Sequence, residues 1–188
     1  AAVDAGAGAA LEAVVEQTAD ERLTSQLASV EASCETMKKF MSRGAHDDVL
    51  ATAQEMLAPM SSEFSIAMYA KLHARCSLHL RLFEAYLVKA ACKGHGRPVV
   101  ELYQRVQCCN ALLPRLYLLV TLGCVCIKMR AVSPKSILQD VAEMCHGVHH
   151  TVRGLFLRAF TVQMYRDKMP ATSDAAAFLL ESFRETNK

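Results

Sequence analysis

The chain has 188 residues, of which 52% are hydrophobic, 21% charged and 6% aromatic, with 21 Lys and Arg against 19 Asp and Glu for a net charge of +2. A chain of this length can bury a substantial core, and its apolar content excludes disorder over most of its length. With no Trp, 8 Gly and 5 Pro among abundant Ala, Leu, Met, Glu and Lys, the composition predicts an all-α protein and argues against sheets.

Residues 1–21 are Ala-rich and acidic, with no Lys or Arg, and a flexible start is expected there. The chain opens without Met, which suggests a piece of a longer protein. The folded part is expected over 22–188. From Arg22 the apolar residues Leu23, Leu27, Val30, Cys34, Met37 and Met41 recur every three or four positions until Gly44 ends a first helix. Asp47 is the expected N-cap of a second, carrying Leu50, Ala53, Met56 and Leu57 and stopping before Pro59. Ser61 or Ser62 then caps a third, with Met68, Leu72, Cys76, Leu80, Phe83 and Leu87 inward, ending near "CKGHGRP".

Arg97-Pro98 opens a fourth helix with Val99, Leu102, Tyr103 and Val106 on one side, joined by Cys109 or Asn110. Pro114 opens a fifth, since proline is tolerated at the first helical position. Ser133 caps a sixth, with Ile137, Leu138, Val141 and Cys145 inward and Gly147 as its stop. A seventh is expected from about His150 to Met169, closed by Pro170, and an eighth from a Thr172 or Ser173 cap to about Thr186.

Leu116 to Ile127 is apolar on nearly every face, so the fifth helix needs cover on both sides. A stack of antiparallel helical hairpins supplies that cover, and so does the centre of a globular bundle. The preferred expectation is an α-solenoid of about eight helices in degenerate HEAT-like pairs, since no clean period is visible. The same stretch is too short for a membrane span, which needs about 20 residues: Gln107, Asn110, Pro114 and Arg115 interrupt it. The eight cysteines show no C-x-x-C pair and read as reduced thiols of an intracellular protein.

Charge is unevenly spread. Residues 71–130 hold ten Lys or Arg against Glu84 and Glu101 only, a difference of +8. Such a segment suits an acidic partner, an anionic membrane or nucleic acid, unless acids from elsewhere in the chain balance it. Few aromatics interleave with the cations, which disfavours nucleic acid. No phosphate-cradling loop occurs, and Cys145, His146, His149 and His150 straddle a helix break, a poor arrangement for a metal. No cofactor, metal or catalytic residue is expected, and the chain reads as a non-enzyme.

Arg115 stands out, because a cation at the start of an apolar helix meets the positive end of the helix dipole and needs a partner. The candidates are Glu101 or Glu84, the carbonyls ending the fourth helix, or a second protein. Arg153 and Arg158, five apart on the seventh helix, point to different faces and read as ties between hairpins.

Three stretches carry a family resemblance: "PRLYLL" at Pro114 to Leu119, "EMCHGVHHTVRGLFLR" at Glu143 to Arg158, and "ELYQRVQ" at Glu101 to Gln107. Together they make the chain similar to the retromer large-subunit family, vacuolar protein sorting-associated protein 35. His146 and Thr151 depart from that family's usual arginine and proline. The resemblance implies the N-terminal part of a HEAT-like solenoid that acts as a non-enzymatic adaptor in endosomal cargo sorting and endosome-to-Golgi transport. It implies docking of the arrestin-like subunit, vacuolar protein sorting-associated protein 26, through Pro114, Arg115, Leu116, Tyr117, Leu118 and Leu119. A sorting nexin, cargo tails and a Rab GTPase are further implied partners, while the metallophosphoesterase-like subunit is expected to bind elsewhere. The implied location is cytoplasmic, peripheral on endosomal membranes through partners only, with no nucleic acid bound. An unrelated helical-repeat interaction protein or a basic nucleic-acid-binding helical domain is the alternative.

Overall fold

The computed structural model describes residues 2–94, 99–145 and 147–166, with side chains from Thr18 onward. The Arg97-Pro98 helix start, His146 and the expected eighth helix lie outside the described residues. Within them the chain forms α1 (Ala2–Arg43), α2 (His46–Leu57), a 3-10 turn (Ala58–Ser61), α3 (Ile66–Cys92), α4 (Val99–Gln107), α5 (Leu112–Lys128), α6 (Pro134–Cys145) and α7 (Thr151–Tyr165). No strand occurs among the described residues. The architecture is all-α and consistent with a helical solenoid.

The inward faces follow the sequence period. Val30, Cys34 and Met37 of α1, Ala53, Met56 and Leu57 of α2, and Leu72, Cys76 and Leu80 of α3 are fully buried. Leu27, Met41 and Met68 pack at the edge of the same core. Helix α1 begins at Ala2, upstream of Arg22 where the apolar period starts: alanine is the strongest helix former but carries no period to read.

Helix ends differ more from expectation. Asp47 is not the cap of α2; Ala45 occupies that position without a side-chain bond, and Asp47 pairs with Arg105 of α4 instead. Neither Ser61 nor Ser62 caps α3, because both belong to the turn around Pro59; the cap is Ser65, whose Oγ accepts from the Met68 amide at 3.4 Å. Pro114 is the third residue of α5, still inside the first turn where a missing N–H costs nothing. Ser133 does cap α6, accepting from the Ser136 amide at 3.2 Å. Gly44, with φ of +70°, ends α1: its amide bonds Met41 O and the Ala45 amide bonds Phe40 O, both at 3.2 Å, a Schellman motif. The same motif closes α5, with Arg130 at φ of +54° in the place a glycine usually takes.

Helix α1 packs against α2 and α3, and α5 lies at the centre, touching α2, α3, α4, α6 and α7. Fourteen of its 17 residues are buried, as an all-round apolar helix requires. Gly123 is where its neighbours come closest. A Cβ there would lie 2.4 Å from Tyr165 Oη and 2.7 Å from Ile137 Cγ2. The absence of a side chain lets α6 and α7 close on α5, and Tyr165 Oη reaches past it to donate to Val120 O at 3.1 Å.

Candidate partner-docking site

The corner between α4 and α5 places the residues from Pro114 to Leu119. The last turn of α4 closes with the Cys109 amide on Val106 O at 3.0 Å, and α5 makes its first full helical bond from the Arg115 amide to Ala111 O, also 3.0 Å. Arg115 turns back over that corner, its Nη1 donating to Cys109 O at 3.1 Å. Its Nε is buried and makes no hydrogen bond among the described residues. The cation therefore caps the α4 end, where carbonyls carry partial negative charge. Glu84, one of the acids considered for it, is buried and pairs with Lys128 at 3.0 Å.

Other contacts lock the corner. Gln54 Nε2 donates to Cys109 Sγ at 2.8 Å, tying it to α2. Tyr103 Oη donates to Asp140 Oδ2 at 2.5 Å, and Gln107 Nε2 to the same oxygen at 3.3 Å, tying α4 to α6. Burial pushes the Tyr103 hydroxyl up, and the Asp140 carboxylate beside it adds to the shift. Burial likewise raises the Cys109 thiol, with Arg115 opposing.

Of the six residues Pro114 to Leu119, five are buried and only Arg115 is half-buried. Tyr117 is fully buried, its ring 5.1 Å from Phe160 and 5.9 Å from His73. His73 in turn lies 4.9 Å from Phe156, the two rings tilted to each other, so α3, α5 and α7 meet in one aromatic cluster. Within it desolvation raises both tyrosine hydroxyls, Tyr69 to about 12. Desolvation also pushes His73 down to about 4. The Tyr69 and Tyr117 hydroxyls are both buried and make no hydrogen bond among the described residues. Sequence reading passed over His73, whose signal is its place one residue from the inward Leu72 and one turn from Tyr69.

Burial raises the Tyr69 hydroxyl of α3 and the Cys145 thiol of α6, with the charge of Arg153 opposing the first and that of Arg158 the second. Among the described residues no group of three or more His, Cys, Asp or Glu is arranged to hold a metal ion. Nor is any described helix long and apolar enough to cross a membrane.

The sequence profile of the family described as vacuolar protein sorting-associated protein 35 matches residues 22–188. The chain belongs to this family. Vacuolar protein sorting-associated protein 35A of Arabidopsis thaliana is 39% identical over 153 residues, which is 75% of this chain and 19% of its own length. The plant's 35B protein is 35% identical over 181 residues, 90% of this chain and 23% of its own length. The Dictyostelium discoideum protein of the family is 36% identical over 151 residues, 75% and 19% of the two chains. The chain thus spans about a fifth of the length of the curated relatives it matches. The family match runs past the described helices to residue 188, further than the three quoted stretches reach.

Proposed function

We propose that this chain is the N-terminal part of a retromer large subunit, a non-enzymatic scaffold that docks the arrestin-like subunit, vacuolar protein sorting-associated protein 26. It acts in endosomal cargo sorting from the cytoplasmic face of endosomal membranes. The reading rests on family membership together with one observation, the burial of the Pro114 to Leu119 helix behind a corner that Arg115 holds. In this reading the helix works by shape. Leu116, Tyr117, Leu118 and Leu119 fill the core under the corner, Pro114 fits the first turn, and Arg115 fixes how α4 meets α5. The partner reads the outer surface that this frame sets, and no bond chemistry is involved.

Capture of the purified arrestin-like subunit by this chain tests the proposal, with DNA and RNA as controls. Capture without salt-dependent nucleic-acid binding is the expected result. Nucleic-acid binding that weakens as salt rises, with no capture, overturns it in favour of a basic nucleic-acid binder.

A further inference from the structure

Helix α3 carries an exposed face that the proposed docking leaves unused. Leu78 and Leu82, one turn apart, are 51% and 44% exposed. At 3.6 residues per turn, Lys71, Arg75 and Lys89 fall on the same side within an arc of about 60°. Lys71 and Lys89 stand at the two ends of this stripe, roughly 27 Å apart at the helical rise per residue, with the leucines between them. The only acid of α3, Glu84, is buried against Lys128, so no carboxylate of this helix reaches the surface. Two acids approach from α1, and both are engaged: Glu31 with Arg75 at 3.1 Å and Glu35 with Lys38 at 2.6 Å. At the C-terminal end of the stripe a cavity of about 470 Å³ opens beside Arg43, His46, Tyr86, Lys89 and Lys93, and among the described residues no acid lines it.

We propose that this face of α3 docks directly on an anionic lipid surface, with Leu78 and Leu82 entering the headgroup layer between the cations. Charge complementarity selects an anionic occupant. Shape selects a bilayer over an acidic polypeptide. The two leucines project from the ridge of one helix, and neither lines the cavity, whereas a peptide's anchor side chains need a pocket to fill. A bilayer needs only projecting apolar groups rimmed by Lys and Arg. Direct contact of this kind adds to any membrane association through partners and does not depend on the arrestin-like subunit.

The test is co-flotation of the 188-residue chain with phosphatidylcholine vesicles, with and without phosphatidylserine. Wild type is expected to float only with the phosphatidylserine vesicles, and less as salt screens the charges. Lys71→Gln with Lys89→Gln should weaken binding about thirtyfold, since each cation near an anionic surface contributes roughly a factor of five. Leu78→Ser with Leu82→Ser should also lower it. All four side chains are exposed, so both double variants should keep wild-type melting. Wild type that does not float, or floats equally well in both double variants, overturns the proposal. If the variants instead lose capture of the arrestin-like subunit while flotation is absent or unchanged, the face docks polypeptide and the lipid reading fails.

Discussion

Replacing Arg115 with alanine removes the bond from Nη1 to Cys109 O. A hydrogen bond from a charged donor contributes about 1.5–3 kcal/mol. The lower half of that range applies, because Cys109 is only half-buried and water can replace the lost donor at its carbonyl. Removing a cation from the positive end of α5 returns roughly 0.3–1 kcal/mol. The net loss is about 0.5–2 kcal/mol, which lowers the melting temperature of a domain this size by about 1–8 °C. Circular-dichroism melts of wild type, Arg115→Ala and Arg115→Lys, run beside capture of the arrestin-like subunit, read both effects at once. The lysine variant should fall between the other two, keeping the charge while losing the fork of donors. Capture lost by an alanine variant that melts like wild type refutes the internal role and makes Arg115 a direct contact.

Gly123→Ala gains about 1 kcal/mol of helix propensity but drives a methyl into Tyr165 and Ile137, overpacking that costs about 1–3 kcal/mol. With the Tyr165 bond to Val120 also displaced, a net loss of about 2 kcal/mol is expected in urea unfolding; unchanged stability would mean that α6 and α7 do not close on this glycine. Because burial holds His73 at about 4, below its ordinary 6.5, the unfolded chain binds its proton first. The native state therefore loses stability as pH falls from about 6.5 to 4, up to about 3 kcal/mol. Denaturant midpoints measured across that window should flatten in His73→Phe, and an unaltered acid slope in that variant would contradict the assignment. Arg130→Gly removes a left-handed conformation that is costly for a side-chain-bearing residue, and should raise stability by roughly 0.5–1 kcal/mol, visible as a higher melting temperature.

Much of the fold was legible in the sequence because helix burial is periodic and local. The spacing of Leu72, Cys76 and Leu80, or of Ile137, Leu138 and Val141, marks an inward face wherever the neighbours come to lie. The unbroken apolar run from Leu116 to Ile127 likewise required a helix covered all round, and α5 is that helix. Helix ends were less legible, since Asp47, Ser61 and Ser62 are all good caps locally, yet α2 starts from Ala45 and the choice of Ser65 over the two serines for α3 depends on the turn around Pro59.

What the sequence by itself determined was the helical class, the buried faces and, through three short stretches, the family. It also narrowed the role of Arg115 to a short set of partners. Only the tertiary structure showed that Arg115 reaches the carbonyl of Cys109, because that bond depends on the angle at which α4 meets α5. The same holds for the +8 segment. Arg75, Arg105 and Lys128 find Glu31, Asp47 and Glu84 across helix boundaries, while Lys71 and Lys89 stay on the surface beside Leu78 and Leu82. Charge pairing acts over a few ångströms in space, and distance along the chain does not report it.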